Sequence, residues 1–245
     1  MNFIIKLLKY LFNKINFYLS INWLKTIYFN FKMFPFKIAK KMPVVFYGKV
    51  KLQCSKGKVK INAPIKFGMI GFGQKYELFK VSKKNAQLTL KGLIVFNGHV
   101  QIGLDYSIYI NNDAVLEMGH LSSIGANGKI ICMNSITTDD FARIGYESQL
   151  IDTSFHSMKD LKSNVTYEKI GSIKIGKYNY IGGRVSIMKS THTPDYFTVS
   201  SNSLLTKNYC ELGENVLVAG FPAKLIRNDV RRGWEEEDLE GLLII

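Results

Sequence analysis

The chain has 245 residues, 47% of them apolar, enough to bury a sizeable core in one main domain and to exclude wholesale disorder. Its formal net charge of +14 calls for an anionic partner. Three widely separated cysteines, Cys54, Cys132 and Cys210, form no CxxC pair, which excludes a disulfide framework or structural zinc site and suits a reducing cytoplasm.

The charge is concentrated at the start of the chain. Fifteen lysines and no arginine precede the first carboxylate, Glu77, and the remainder is close to neutral. Residues 1–42 read as a basic amphipathic helical segment. On a helix, Ile4, Leu7, Leu8, Leu11, Phe12 and Ile15 share one face, with Asn2, Lys6, Lys9 and Asn13 opposite. Lysines at 6, 9, 14, 25 and 32 interrupt the segment too often for a membrane span, and Asn13-Lys14 breaks it wrongly for a secretory signal. Two readings stay open: helices lying on an anionic membrane surface, or helices packed on the body or a neighbouring subunit. Nucleic acid is not an expected partner, because no recognition motif accompanies the lysines. The segment ends near Met42-Pro43, since proline disfavours helical geometry in the residue before it.

Residues 43–100 read as entry strands. Lys49-Val-Lys-Leu52 and Lys58-Val-Lys-Ile61 alternate as half-buried strands do, with Ser55-Lys-Gly57 as a turn between them. Gly68, Gly71 and Gly73 mark a bend, and Leu88-Thr-Leu-Lys91 resumes the alternation. These strands are expected to start a solenoid and cap its open end.

Over residues 101–230 an apolar residue returns every six positions: Ile102, Ile108 and Ala114; Ile124, Ile130 and Ile136; Ile175, Ile181 and Ile187. That period fits neither a helix nor a hairpin sheet and predicts short parallel strands joined by tight corners, a parallel β-helix. Glycine follows the apolar residue in Ile102-Gly103, Ile124-Gly125, Ile144-Gly145, Ile175-Gly176 and Ile181-Gly182, as corners with unusual angles or close approach require. After Ile144 and Leu150 the next beat falls on His156, where an apolar residue was due. Polar residues 157–170 then interrupt the repeats and predict a loop leaving the coil. Residues 231–245 form an acidic tail, with Glu235, Glu236, Glu237, Asp238 and Glu240 after Trp234; a helix folded back toward the basic start and a solvated tail are both compatible with it.

The ordered repeats, the segment Gln149-Leu-Ile-Asp-Thr-Ser-Phe-His156 with its loop, and the ending Gly220-Phe-Pro-Ala-Lys-Leu-Ile-Arg227 together resemble the hexapeptide-repeat acyltransferases. Ser135-Ile-Thr-Thr-Asp-Asp140 onward, with Ile173-Lys-Ile-Gly-Lys-Tyr-Asn-Tyr-Ile-Gly-Gly183, is similar to the branch that O-acetylates sugars of bacterial surface polysaccharides. The resemblance implies a mainly β chain wound as a left-handed parallel β-helix. It implies a homotrimer holding acetyl-CoA and a glycan or sugar acceptor in the clefts between prisms. It also implies work on capsule or O-antigen sugars at the inner face of the cytoplasmic membrane.

The same resemblance assigns the site. His156 matches the catalytic base, and a neutral imidazole can take a hydroxyl proton at cellular pH. Asp152 stands four residues earlier, while Ser154 occupies a place where the branch often has a second Asp, so the group that orients His156 is open among Asp152, a backbone carbonyl and Ser154 as a weaker, neutral partner. Gly183 matches the oxyanion position and can contribute only its amide. Tyr180, where the family commonly has Trp, would pack on the pantetheine arm. Ser201, Thr206, Lys207, Lys224 and Arg227 match the CoA path, where cations belong beside phosphates. No metal is expected: the zinc-dependent relatives carry a close His pair, whereas His99, His120, His156 and His192 are far apart. Two rivals stand: an N-acyltransferase on a nucleotide-linked amino sugar, and a non-catalytic scaffold.

Overall fold

Isoleucine, leucine and valine recur at one depth because each coil of the chain lays its inward side chain on that of the coil before. Ile102, Ile124, Ile144, Ile181, Val199 and Val218 form one column. Leu88, Ile108, Ile130, Leu150, Ile187 and Leu205 form a second. Ile94, Leu116, Ile136 and Ile173 form a third. All but a few per cent of each of these side chains is buried, so the columns meet in one core that runs the length of a prism. The structure is a computed structural model, and it describes residues 2–54, 56–75 and 86–236.

The protein is a left-handed parallel β-helix. Among the described residues its first face has nine strands, its second seven and its third five, all parallel except the closing strand Ala223–Arg227. Consecutive coils are joined through three corners, here named by the faces they connect. The six-residue beat is confirmed in the first two columns and shifted in the third. Ile173, not Ile175, continues the third column, with Ile175 two residues on in register with Thr138. Likewise Leu116 fills the place that Ala114 precedes.

The corners show which of two reasons explains their glycines. A Cβ on Gly103 would stand 2.5 Å from the Ala126 nitrogen, and one on Gly182 would stand 2.7 Å from the Ser201 nitrogen, so the glycines answer close approach between coils. Unusual angles fall elsewhere, on the non-glycines Asp105, Asn127, Glu147, Arg184 and Asn202, with φ between 56° and 59° in the sequence order 56°, 57°, 56°, 59° and 58°. Gly71 and Gly73 do not mark a bend: they lie inside the strand Ile70–Gln74, where Gly73 takes φ 85° at a register shift.

Three helices precede the prism: Asn2–Ser20, Trp23–Met33 and Phe36–Ala39, with the first strand starting at Val44. The second helix closes the open end of the first face. Asn30 donates to the Val44 carbonyl (2.7 Å) and accepts from the Val44 N–H (3.2 Å), while the Thr26 hydroxyl accepts from the Phe46 N–H (3.1 Å). Polar side chains thus complete a strand edge that has no preceding strand. Phe29 packs edge-on to Phe46 beneath them. The cap is therefore helical, where entry strands were expected to provide it.

At the far end, Trp234 is buried and its indole N–H donates to the Tyr178 carbonyl (3.2 Å). It abuts a ladder in the corner between the third and first faces, where Phe141, Tyr178 and Tyr196 stack at 4.6 and 4.9 Å with nearly parallel rings. The tail thus folds onto the prism flank up to Glu236, not toward the basic start; Glu237, Asp238 and Glu240 lie outside the described residues.

Candidate active site

Between Leu150 on the second face and Ile173 on the third, the chain leaves the coil. Asp152 begins the excursion. It occupies the inward place after Leu150, fully buried, and its carboxylate accepts three backbone N–H groups of the preceding coil: Met133 (2.7 Å), Asn134 (2.8 Å) and Ser135 (3.0 Å). Asp152 thus pins the corner below the excursion, and no hydrogen bond joins it to the His156 imidazole. The carboxylate also acts on the buried Cys132 thiol, which burial first and then the Asp152 charge push up to about 12.

The excursion itself is a hairpin arm. Thr153 bridges Ile170 at its base, and Met158–Lys159 pairs antiparallel with Thr166–Tyr167 further out. Asp160 accepts from the Ser163 and Lys162 N–H groups in the tip, and these bonds hold its carboxyl below the usual range. The Lys189 ammonium donates to the Glu168 carbonyl and ties the arm to the next coil.

His156 stands at the foot of this arm, exposed, immediately after Phe155 at φ 60°. Its backbone N–H donates to the Ser154 carbonyl (2.7 Å). The Ser154 hydroxyl faces the His156 carbonyl (3.0 Å) and the Lys169 carbonyl (3.3 Å). Ser154 therefore shapes the backbone beneath the imidazole and leaves the ring to face outward. The beat that placed His156 at a core position is absorbed by the arm, with Ile173 returning to the column.

The other expected site residues separate into two sets. Thr206 and Lys207, both exposed, lie in the same second-to-third corner as His156, two coils further along. Tyr180 lies on the first face, its outward column continuing through Thr198 and Leu217 to Arg227. Three strand spacings separate Tyr180 from Arg227, about 14 Å. Lys224 is exposed on the same closing strand, opposite Ala219. Gly183 and Ser201 occupy the first-to-second corner, where a Cβ on Gly183 would stand 2.7 Å from the Tyr146 ring. The Gly183 N–H donates to no acceptor among the described residues, and its carbonyl accepts from Asn202 (3.1 Å).

Within one chain, then, His156 and Gly183 sit at opposite edges of the second face, with a three-residue strand between their corners, about 10 Å. A single prism does not bring base and oxyanion position together.

Two features were not read from the pattern. Arg232 stands 5.0 Å over the Tyr180 ring and 4.4 Å over Trp234, so the tail borders the first-face set. His99 and His120 are neighbours on successive coils: the His120 Nδ1 accepts from the His99 N–H (3.2 Å), and the His120 N–H donates to Asp140 (2.6 Å). Burial, then His120 and Lys66, pull the His99 imidazole below its usual range. His192 bridges Lys174 and Asn208 on the third face, with Ser172 at 3.2 Å from its Nε2. Among the described residues no three His, Cys, Asp or Glu side chains are grouped to hold a metal ion.

No protein-family model matches the chain, and no curated protein does. Solved structures do match. The polySia-specific acetyltransferase NeuO superposes with a TM-score of 0.54 at 16% identity, over 79% of this chain and 93% of that one. The polysialic acid O-acetyltransferase OatWY gives 0.47 at 15% identity, over 81% and 98%. AntD, an N-acyltransferase from Bacillus cereus solved with dTDP and 3-hydroxybutyryl-CoA, gives 0.42 at 14%, over 85% and 94%. At these identities the NeuO likeness establishes the β-helix fold, and function rests on the site.

Proposed function

We propose that the protein is an acetyl-CoA-dependent O-acetyltransferase that modifies a sugar hydroxyl of a surface glycan and works as a homotrimer. The observation that carries this reading is the separation of the site residues into two sets on opposite edges of one face, with an outward-facing imidazole in one and an unused amide N–H in the other. Three prisms around an axis would bring the first-to-second corner of one copy against the arm corner of the next, and each cleft would then hold both sets.

In such a cleft the reaction needs no acyl-enzyme. The His156 imidazole takes the proton of the acceptor hydroxyl as its oxygen attacks the thioester carbonyl. The new C–O bond places negative charge on the carbonyl oxygen, which the Gly183 N–H receives. Collapse of this intermediate breaks the C–S bond, and the departing CoA sulfur takes the proton back from the imidazolium. Tyr180 and the column above it offer a wall for the pantetheine arm, ending at Arg227 and Lys224 for the phosphates. The role left to Asp152 is positioning: it fixes the corner from which the His156 segment departs.

The test is CoA thiol release by the purified protein against polysialic acid, other glycans, free sugars and nucleotide-linked amino sugars, with His156→Ala beside it. Loss of a general base should lower turnover by ~10²–10⁴ while the melting temperature stays unchanged. Equal turnover in the variant removes His156 from the mechanism. Transfer only to amines reassigns the enzyme as an N-acyltransferase, and no CoA binding at all returns it to a scaffold.

A further inference from the structure

The second helix of the basic segment uses its faces differently. Thr26, Phe29, Asn30 and Met33 form the stripe that closes the prism. The opposite stripe, Trp23, Leu24, Ile27, Tyr28 and Phe31, is exposed, with Leu24 at 83%. Phe36, 70% exposed at the start of the third helix, extends it beside Phe31. On the first helix Leu7, Leu8, Phe12, Ile15 and Leu19 are also exposed, with Leu19 at 76%. Lysines ring this apolar surface, some lying against its aromatic groups: Lys32 donates to the Tyr28 hydroxyl (3.0 Å), and Lys14 and Lys40 stand 5.8 and 5.9 Å over the Tyr10 and Phe36 rings. Such side chains lay their stems on apolar surface and carry the charge at its rim.

We infer that this helical end of the prism is a docking face for an anionic phospholipid bilayer. Charge selects that occupant. No carboxylate precedes Glu77 to neutralise the lysines, so a second copy of the same face would oppose cation with cation. Nucleic acid would satisfy the lysines but leave the leucines and phenylalanines in water. A bilayer surface satisfies both, with apolar groups in the headgroup and acyl boundary and lysines against lipid phosphates. The segment lies on the membrane and does not cross it: no helix among the described residues is long and apolar enough to span one.

The cap makes this face preformed, since Asn30 and Thr26 fix the second helix to the first strand. The prism therefore stands on its first coil. The strand before His156 is the fifth on the second face, four spacings from the first, which places the imidazole about 19 Å further from the bilayer than that coil. If the acetyl transfer proposed above holds, a lipid-linked acceptor must be an extended glycan to reach it.

The experiment is vesicle sedimentation of the full chain with phosphatidylcholine alone and with added phosphatidylglycerol, at low and high salt. Binding should require phosphatidylglycerol and weaken as salt rises, and Trp23, in a Trp234→Phe background, should be quenched by brominated lipid. Leu24→Asp combined with Leu19→Asp, both exposed and outside the cap, should lower partitioning by at least ~10-fold with an unchanged melting temperature. Lys32→Glu with Lys37→Glu should abolish the binding that phosphatidylglycerol adds. Salt-insensitive binding, no binding, or an unquenched Trp23 would overturn the inference, as would dissociation of the oligomer by the leucine variants, which would assign the face to a second copy. Turnover of soluble acceptors is read separately and is expected to be unchanged in every variant.

Discussion

Asp152 shows how one carboxylate can be more structural than its place in a motif suggests. Its oxygens receive three N–H groups from the turn of the coil below, in a site closed to water. In Asp152→Asn one oxygen can still accept, but the new NH2 group faces N–H donors. Hydrogen bonds to a charged group contribute about 1.5–3 kcal/mol each, and the variant should lose ~2–4 kcal/mol of stability, read as a lower denaturation midpoint at unchanged slope. A loss below ~0.5 kcal/mol would show that the corner holds without the carboxylate. The position of Asp152 four residues before His156 was legible; its partners, 17 to 19 residues back, were not, because they are fixed by coil stacking and no local pattern encodes them. The His99–His120 contact stayed hidden for the same reason: its separation of 21 residues has meaning only once it is seen to be one turn of the prism.

At the scale of elements, a β-helix must end somewhere, and its two ends are closed by different chemistry. The closing strand Ala223–Arg227 turns back antiparallel on Leu217–Gly220 and is paired mainly through the backbone. The first strand is closed by side chains, above all Asn30, which spends its carbonyl on one N–H and its amide on the Val44 and Thr26 carbonyls. Asn30→Ala would orphan a buried donor and acceptor on Val44, at a cost of about 2–4 kcal/mol, and expose an edge open to pairing with other chains. Urea denaturation and light scattering should show both effects, whereas Leu24→Ala on the opposite stripe should stay within about 0.5 kcal/mol of the parent protein. Comparable stability of the two variants would mean that the helix is not the cap. The repeats were readable here because apolar spacing reports strand geometry directly, and Pro43 marked the end of the helices. The helical cap was not legible because a polar side chain replacing a missing strand leaves no periodic trace, and the partners of Trp234, Phe141 and Tyr178, are set by coil stacking and by no local pattern.

At the scale of the whole molecule, the division of site residues between two corners predicts that activity belongs to pairs of chains. His156→Ala disables the arm corner of a copy and leaves its first face intact. Tyr180→Ala with Arg227→Glu disables the first face and leaves the arm corner intact. Each variant alone has no complete cleft. If the variants are unfolded together in equal amounts and reassembled, a cleft is intact when an unaltered first face meets an unaltered arm corner. Random closure of a cyclic oligomer makes that combination occur in roughly one quarter of clefts, so the mixture should recover ~25% of parental turnover from two nearly inactive preparations. Mixing the folded variants without exchange of subunits should recover nothing. A site contained within one chain would stay inactive in both mixtures, because every chain carries one damaged set, and that result would require His156 and Gly183 to meet across the second face of a single prism. The two corners lie on either side of a strand three residues long, held in register with its neighbours by backbone hydrogen bonds. Bringing them together would require that strand to leave the sheet, which makes partnership between copies the arrangement with the smaller structural cost.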